Sequence, residues 1–411
     1  MTTPSGQISF LDLMIEFGNP GGGNNDLGSF RVAQTVGEMN NLPLDEGIPG
    51  PGSSISFDQL RNKKLNIVIS YSSSTNRPPS GRNKWNNNTD LTVIGGGKQR
   101  SDSGGEHYIS SSSGTSVTLH VSGNTQIGNQ QGTSTTQDSR YSSALRTGGT
   151  WNTDTELEIN IGGEAQVCGG GGNGGDGSES PNNDPGPGED GNHGNSAIGI
   201  AYPVSKITVE SGGIIAAGSG GGAGGGAGKE DSETEGRRAS GGGGGGGAGL
   251  PAGEGGGSYQ HETETEDSSP GDFGQDGTLI NGGNGGNGGK EGSGEASGGG
   301  GGGGGCFSAE LYERIGTPGT GGERGHPKGS EEEGFESEPG LSGNTIDEGI
   351  GGNGGKGGRG ESDGEHSSGG FGGFNGFAVV RRQGISAPPI TNNGLIIGST
   401  NIETEATDTP L

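Results

Sequence analysis

Between residues 64 and 166, apolar and polar positions alternate with a period of two. "LNIVISYSS" (65–73), "DLTVIGGG" (90–97), "SVTLHVSG" (116–123) and "TELEINIGG" (155–163) each read as a short strand closed by glycine or serine turns. Two stretches share a longer template: "LEINIGGEAQVCGGGG" (157–172) and "ITVESGGIIAAGSGGG" (207–222) both run strand, Gly-Gly turn, short strand, glycine run. That pattern predicts stacked β layers, a sandwich or a solenoid. The segment 376–400, "GFAVVRRQGISAPPITNNGLIIGST", predicts two or three further strands that return to those layers.

The first 63 residues follow a different period. "SGQISFLDL" (5–13) and "GSSISFDQL" (52–60) repeat Ile-Ser-Phe-x-x-Leu. Ser9 stands three before Asp12, and Ser56 three before Gln59, the spacing of a helix N-cap and its reciprocal partner. Phe10, Leu13, Met14 and Phe17 then recur at helical spacing, and Phe57 with Leu60 do so more briefly. Two short helices with a small core of their own are the plain reading. As a pair, the repeats also offer a docking surface, with Phe10, Leu13, Phe57 and Leu60 as its candidate residues.

From 169 to about 360 neither period holds. Glycine runs of similar length, at 169–175, 220–228, 241–249, 282–289, 298–305 and 351–358, alternate with polar inserts. A coil has no reason to count in threes as "GGNGGNGG" does, whereas a left-handed polyproline-II-type helix does. At about 3.1 Å per residue, eight or nine residues span about 25–28 Å. Parallel pillars crossing one slab need a common length, and flexible linkers do not. Side by side, such pillars would bond through backbone N–H and C=O groups. Interior pillars must then be almost all Gly or Ala, while outer ones can show Asn or Lys.

Composition sharpens this picture. Of 411 residues, 104 are Gly and 19 Pro, and only 23% are hydrophobic, a balance otherwise typical of disordered low-complexity chains. A formal charge of −27 argues against nucleic acid and anionic lipid as partners. No stretch reaches the eighteen or so apolar residues of a membrane span, so no membrane insertion is expected. The start, "MTTPSGQISF", lacks the basic and apolar regions of a secretory signal. Cys168 and Cys306 each border a glycine run, which leaves either one bridge or two free thiols.

No catalytic constellation emerges, and a non-enzyme is expected. Gly-x-Gly-x-x-Gly matches are uninformative in a chain this rich in glycine. "GGNGGD" (171–176) fits the start of a calcium-binding nonapeptide, but Ser178 replaces the apolar residue and no tandem copies follow. No cofactor is expected, beyond calcium loosely recruited by acidic inserts such as Glu331–Glu333. The inserts 229–240, 250–280 and 306–350 carry the aromatics Tyr259, Phe273, Phe307, Tyr312 and Phe335, with His261 among them. Aromatics on loops without a local core are either anchors within their own loop or contacts for a partner, and as a group they point to recognition.

The alternation of glycine runs with variable polar segments over about 155–360 resembles the glycine-rich tail-fibre tip proteins of tailed bacteriophages, the receptor-binding adhesins of T-even type. The N-terminal repeats and the junction "AIGIAYPVSKITVESGGIIAAGSGGGAGG" (197–225) are also similar to segments of phage tail proteins. The resemblance implies a sandwich of polyglycine-II helices whose intervening loops recognise a host receptor.

The expected fold is therefore mainly β plus polyglycine-II. A helical virion-docking segment would occupy 1–63, a β-rich neck 64–168, a polyglycine-II domain with acidic recognition loops 169–375, and closing strands 376–411. The implied function is a non-catalytic adhesin at a phage tail or tail-fibre tip. Its partners would be other tail proteins and a bacterial surface receptor, an outer-membrane protein or a polysaccharide, and the architecture allows a homotrimer. A purely structural tail component and an ice-binding polyglycine bundle are the alternatives.

Overall fold

Strand residues alternate between inside and outside, and the inside set is aliphatic. In Glu156–Ile161 the buried positions are Leu157, Ile159 and Ile161; in Val204–Val209 they are Val204, Ile207 and Val209. These side chains, with Leu119, Val121, Ile127, Leu145, Val167, Ile198 and Ile215, form the main core. The computed structural model describes residues 3–17, 26–30, 52–63, 66–71, 116–121, 125–147, 156–178, 186–230, 237–258, 270–289, 298–306, 319–323, 337–343, 351–352, 367–400 and 402–404.

The described strands are β1 (Asn66–Tyr71), β2 (Ser116–Val121), β3 (Gln126–Ile127), β4 (Ser143–Arg146), β5 (Glu156–Ile161), β6 (Gln166–Cys168), β7 (Ser196–Ile200), β8 (Val204–Val209), β9 (Ile214–Ala216), β10 (Gly228–Glu230), β11 (Arg237–Ala239), β12 (Val379–Arg381), β13 (Ile390–Asn392), β14 (Leu395–Ile397) and β15 (Ile402–Glu403). All but β10 and β11 fall into three parallel sheets, ordered β1-β2-β5-β8-β13, β15-β12-β7-β4 and β14-β9-β6-β3. The chain visits the sheets in one repeating order, β4-β5-β6, then β7-β8-β9, then β12-β13-β14. The result is a three-sided parallel coil.

The two long sequence templates fall on consecutive turns of this coil. Ile159 pairs with Ile207 and Val167 with Ile215, two residues away from the alignment that matching their Gly-Gly pairs would suggest. The corner between the second and third sheets needs a left-handed residue in both turns, supplied by Glu164 (φ 65°) and Gly212 (φ 88°). The strand expected in "DLTVIGGG" lies outside the described residues.

The N-terminal repeats pack on the coil. A helix, α1, spans Phe10–Phe17, and a 3-10 turn spans Phe57–Leu60. Asp12 accepts from the Ser9 N–H at 2.7 Å, and Gln59 accepts from the Ser56 N–H at 2.8 Å. Ile8, Leu13 and Leu60 join the main core, while the Phe10 and Phe57 rings meet edge to face at 5.2 Å. The Thr3 hydroxyl ties the segments together, donating to the Leu60 carbonyl at 2.6 Å and accepting from the Lys63 N–H at 2.8 Å.

After β6 and again after β9, the chain leaves the coil and crosses a second body built from glycine-rich segments. Twelve are described: 169–178, 186–195, 217–227, 240–250, 252–258, 270–278, 281–289, 298–306, 319–323, 337–343, 351–352 and 367–376. They are bound by backbone hydrogen bonds with a period of three.

In 240–250, Gly242, Gly245 and Ala248 donate to Gly299, Gly302 and Gly305. Gly243, Gly246 and Gly249 donate to Asp272, Gln275 and Thr278. Gly244, Gly247 and Leu250 donate to Gly175, Gly172 and Gly169. Its carbonyls accept from 217–227, 252–258 and 282–289, so this segment has a partner on every side. The same holds for 217–227 and 298–306. The other nine form a closed ring around these three, successive members joined by such bonds as Asn192 N–H to Asn173, Gly351 N–H to Gly373 and Asp272 N–H to Asn287, or by direct backbone contact, as Gly352 meets Leu341.

Sterics explain which sequence goes where. A Cβ on Gly244 would sit 2.0 Å from the Gly222 oxygen, and one on Gly301 2.0 Å from the Gly243 oxygen. Only small residues, Gly with Ala or Ser at a few points, fit where neighbours close in from all sides. A ring segment needs glycine mainly on its inner side. Its outward residues can then serve as clasps. Asn284 and Asn287 accept the N–H groups of Thr320 and Glu323 at 2.9 and 2.8 Å, and donate to Gln275 and Asp272 at 3.0 and 2.9 Å. The repeat in "GGNGGNGG" is thus two bare faces and one amide stripe that satisfies backbone donors at the edge of the array.

Where coil and array meet, Cys168, Ala216, Ala248 and Cys306 form a small apolar layer with Ile214, Leu250, Leu279 and Ile397. Neither cysteine is in a disulfide, and both are buried. Strands from 64–168, 196–216 and 379–403 share the same sheets, so the coil draws on segments that sequence boundaries at 168 and 376 would separate.

Candidate functional site

The array has two unlike ends. One adjoins the coil, marked by Gly169, Gly218, Leu250, Gly305 and Gly376. At the other end, Ser178 accepts from Gly241 N–H, Ser240 accepts from Gly289 N–H, and Ala227 accepts from Ser367 N–H. There too Gly177 N–H reaches Gly257, Gly288 N–H reaches Glu323, and Gly300 N–H reaches Glu338.

The segments bordering inserts 179–185, 231–236, 259–269, 290–297 and 324–336 therefore both end at the far end, and insert 353–366 rejoins the array there. Insert 231–236 lies between β10 and β11, which continue the two interior segments 217–227 and 240–250. Acidic residues are dense in these inserts, as in Glu262, Glu264, Glu266 and Asp267, and again in Glu331–Glu333 and Glu336.

Of the aromatics singled out from sequence, Tyr259, His261 and Phe335 belong to far-end inserts and lie outside the described residues. Phe307 and Tyr312, also outside them, belong to insert 307–318. That insert is bounded by Cys306 and Gly319, which lie near the coil rather than at the far end. Phe273 is not on a loop. It sits in the ring segment 270–278, 62% exposed, because Gly271, Gly274 and Gly277 supply that segment's inner side. Leu13 and Leu60 are fully buried, so within the N-terminal pair Phe10 and its exposed neighbour Leu11 are what reaches the surface.

A second exposed group was not anticipated from sequence. The ring segment 367–376 carries Phe371 and Phe374 three residues apart, 70% and 46% exposed. Each Phe N–H is capped from segment 186–195 or the start of β7 at the same period: Phe371 by Asp190 Oδ1 (2.7 Å), Phe374 by His193 Nδ1 (3.1 Å) and Phe377 by Ser196 Oγ (3.0 Å). The Arg140 guanidinium lies 5.4 Å from the Phe374 ring centre and 4.6 Å from that of Phe377, and its Nε donates to the Asn375 carbonyl at 2.6 Å. Burial, then the nearby Arg140 charge, lowers the pKa of His193, which keeps Nδ1 free of a proton to accept. The signal in sequence was "FGGFNGF" (371–377), whose aromatics share the three-residue count of the glycine runs.

Among the described residues no group of His, Cys, Asp and Glu is arranged to hold a metal ion. In "GGNGGD" the polar residues are clasps: Asn173 Oδ1 accepts the Glu254 N–H at 3.0 Å and Asp176 Oδ1 the Gly257 N–H at 2.5 Å.

A family model described as phage tail fibre adhesin Gp38 matches residues 82–298, more than half of the chain. None of the curated proteins is a significant match to this sequence. Among solved structures, the crystal structure of the gp37-gp38 adhesin tip complex of the bacteriophage S16 long tail fiber is similar at 15% identity, covering 85% of this chain and 88% of that one. Its TM-score is 0.29.

Proposed function

The chain belongs to the phage tail fibre adhesin Gp38 family, and on that premise we propose that it attaches the virion to its host by non-catalytic binding through the far end of the glycine array. The observation that carries this reading is the placement of the inserts. Five connect segments that both end there, a sixth rejoins there, and together they hold Tyr259, His261, Phe335 and much of the acidic charge.

We read the array as polyglycine-II, which the three-residue period of its hydrogen bonds supports. In such a body the backbone is fixed before binding, so less entropy is lost when an insert engages a receptor. Several copies on one particle add avidity. In this reading the receptor is an outer-membrane protein or surface polysaccharide, and the N-terminal pair, with Phe10 and Leu11 exposed, docks the chain to other tail proteins.

Competition tests the proposal. Purified chain should block adsorption of the phage to its host, and replacing 259–269 and 324–336 with Gly-Ser linkers should abolish the block. Failure of the intact chain to compete would assign it to a structural role within the tail.

A further inference from the structure

The ridge made by Phe371 and Phe374 is on the side of the array, apart from the far end. Its composition is specific. Two exposed rings stand on the same outward stripe, and at about 3.1 Å per residue three residues separate them by about 9 Å. Between and beside them the chain is glycine: Gly370, Gly372 and Gly373. Among the described residues the other exposed large hydrophobics, Phe10, Leu11, Phe273, Ile280 and Leu341, belong to other segments. Polar side chains stand close by instead: Asp190 accepts the Phe371 N–H, and His193 with Arg140 borders the Phe374 ring.

Phe374 is held in place from two directions. His193 meets it edge to face at 5.3 Å, and the Arg140 guanidinium lies 5.4 Å from its centre. Arg140 is itself fixed by the Asn375 carbonyl and by Gln137 Oε1 at 3.1 Å. The exposed part of this ring is therefore presented in one orientation on a backbone that is bonded on both sides.

We propose that this ridge is a glycan-binding platform, on which pyranose rings of a host surface polysaccharide stack against Phe371 and Phe374 while Asp190 and Arg140 engage the sugar hydroxyls and the buried His193 holds Phe374 in place. The chemistry of a pyranose suits each part. Its axial C–H groups are weakly positive and meet the negative face of an aromatic ring. Its hydroxyls line the ring edge, where carboxylate and guanidinium groups are strong hydrogen-bonding partners. A linear chain of such rings fits a narrow ridge better than a pocket. In a chain of net charge −27, a local cation at Arg140 also keeps this stripe from repelling a glycan that bears scattered acidic groups. The site is separate from the far-end inserts and stands without them.

The test uses the full-length chain on a printed array of bacterial surface polysaccharides, with cellohexaose and dextran as defined neutral probes, followed by calorimetric titration of whatever binds. The intact chain is expected to bind, and Phe371→Ala and Phe374→Ala each to weaken binding by about tenfold or more, as loss of a stacking ring does elsewhere. Phe371→Tyr should retain it, and so should replacement of 259–269. Unchanged thermal melting of Phe371→Ala separates lost contact from lost fold. The proposal is overturned if the intact chain binds none of the probes, or if both alanine variants bind as the intact chain does. A chain that binds glycan yet fails to block adsorption would remove the adhesin reading and leave this site in place.

Discussion

His193 and Phe374 are joined through the backbone: the imidazole Nδ1 accepts the Phe374 N–H at 3.1 Å, so a side chain on one ring segment completes the hydrogen bonding of the next. Protonation at Nδ1 would replace that acceptor with a donor. Because the folded-state pKa of His193 is lowered, its contribution to stability is complete above the ordinary histidine value of about 6.5. That contribution is lost as pH falls below this value and on through the folded-state pKa. The melting temperature should drop between pH 7 and pH 5, and His193→Asn, which keeps an oxygen acceptor, should show a smaller drop. An identical pH dependence in both proteins would exclude this role.

The interior of the array should be intolerant of a single methyl group. A Cβ on Gly244 or Gly301 meets a carbonyl oxygen at 2.0 Å, and backbone held on all sides cannot retreat. Gly244→Ala should cost about 3 kcal/mol or more, above the usual range for overpacking, and reduce soluble yield. Gly6→Ala, with nothing within 4 Å, serves as the neutral control in the same chemical denaturation series.

At the corner after β5, Glu164 occupies a left-handed position that Gly212 fills one turn later. Exposed and free of the steric demand of the core, Glu164→Gly should stabilise the coil by about 1 kcal/mol, the cost of a side chain in that region, less the added entropy of the unfolded chain. Thermal unfolding monitored by circular dichroism would show it as a modest rise in melting temperature.

The apolar layer between coil and array predicts slow thiol chemistry. Burial pushes the pKa of Cys168 up to about 12 and that of Cys306 up to about 11, so little thiolate exists at pH 8. Native protein should react with a disulfide reagent far more slowly than protein in denaturant, with Cys306 the faster of the two. Rapid labelling of both in the native state would mean that the layer opens.

Much of this arrangement could be read from residue patterns, for physical reasons. Capping pairs are local, so Ser9–Asp12 and Ser56–Gln59 were visible at a spacing of three. Strands with one buried face alternate, so β1, β2 and β5 were visible as well. The runs of almost nothing but Gly and Ala marked the array's interior because no bulky side chain fits between six neighbours.

Ring segments were harder to see. Stretches such as 252–258, 270–278 and 367–376 need glycine chiefly on the inward side, and their Glu254, Asp272, Phe273 and Phe374 give them the composition of ordinary loops. That is why 250–280 reads as one long insert when it contains two crossings. The order of the sheets was not visible either, since partners such as Ile159 and Ile207 are set by pairing far along the chain.

The crossing geometry has a mechanical consequence. The amide bonds that join the segments lie across them, so a pull along the segments, such as the proposed attachment would apply between host and particle, loads those bonds in shear. They must yield many at a time instead of unzipping singly, which makes a body with few large side chains a stiff strut for carrying tension.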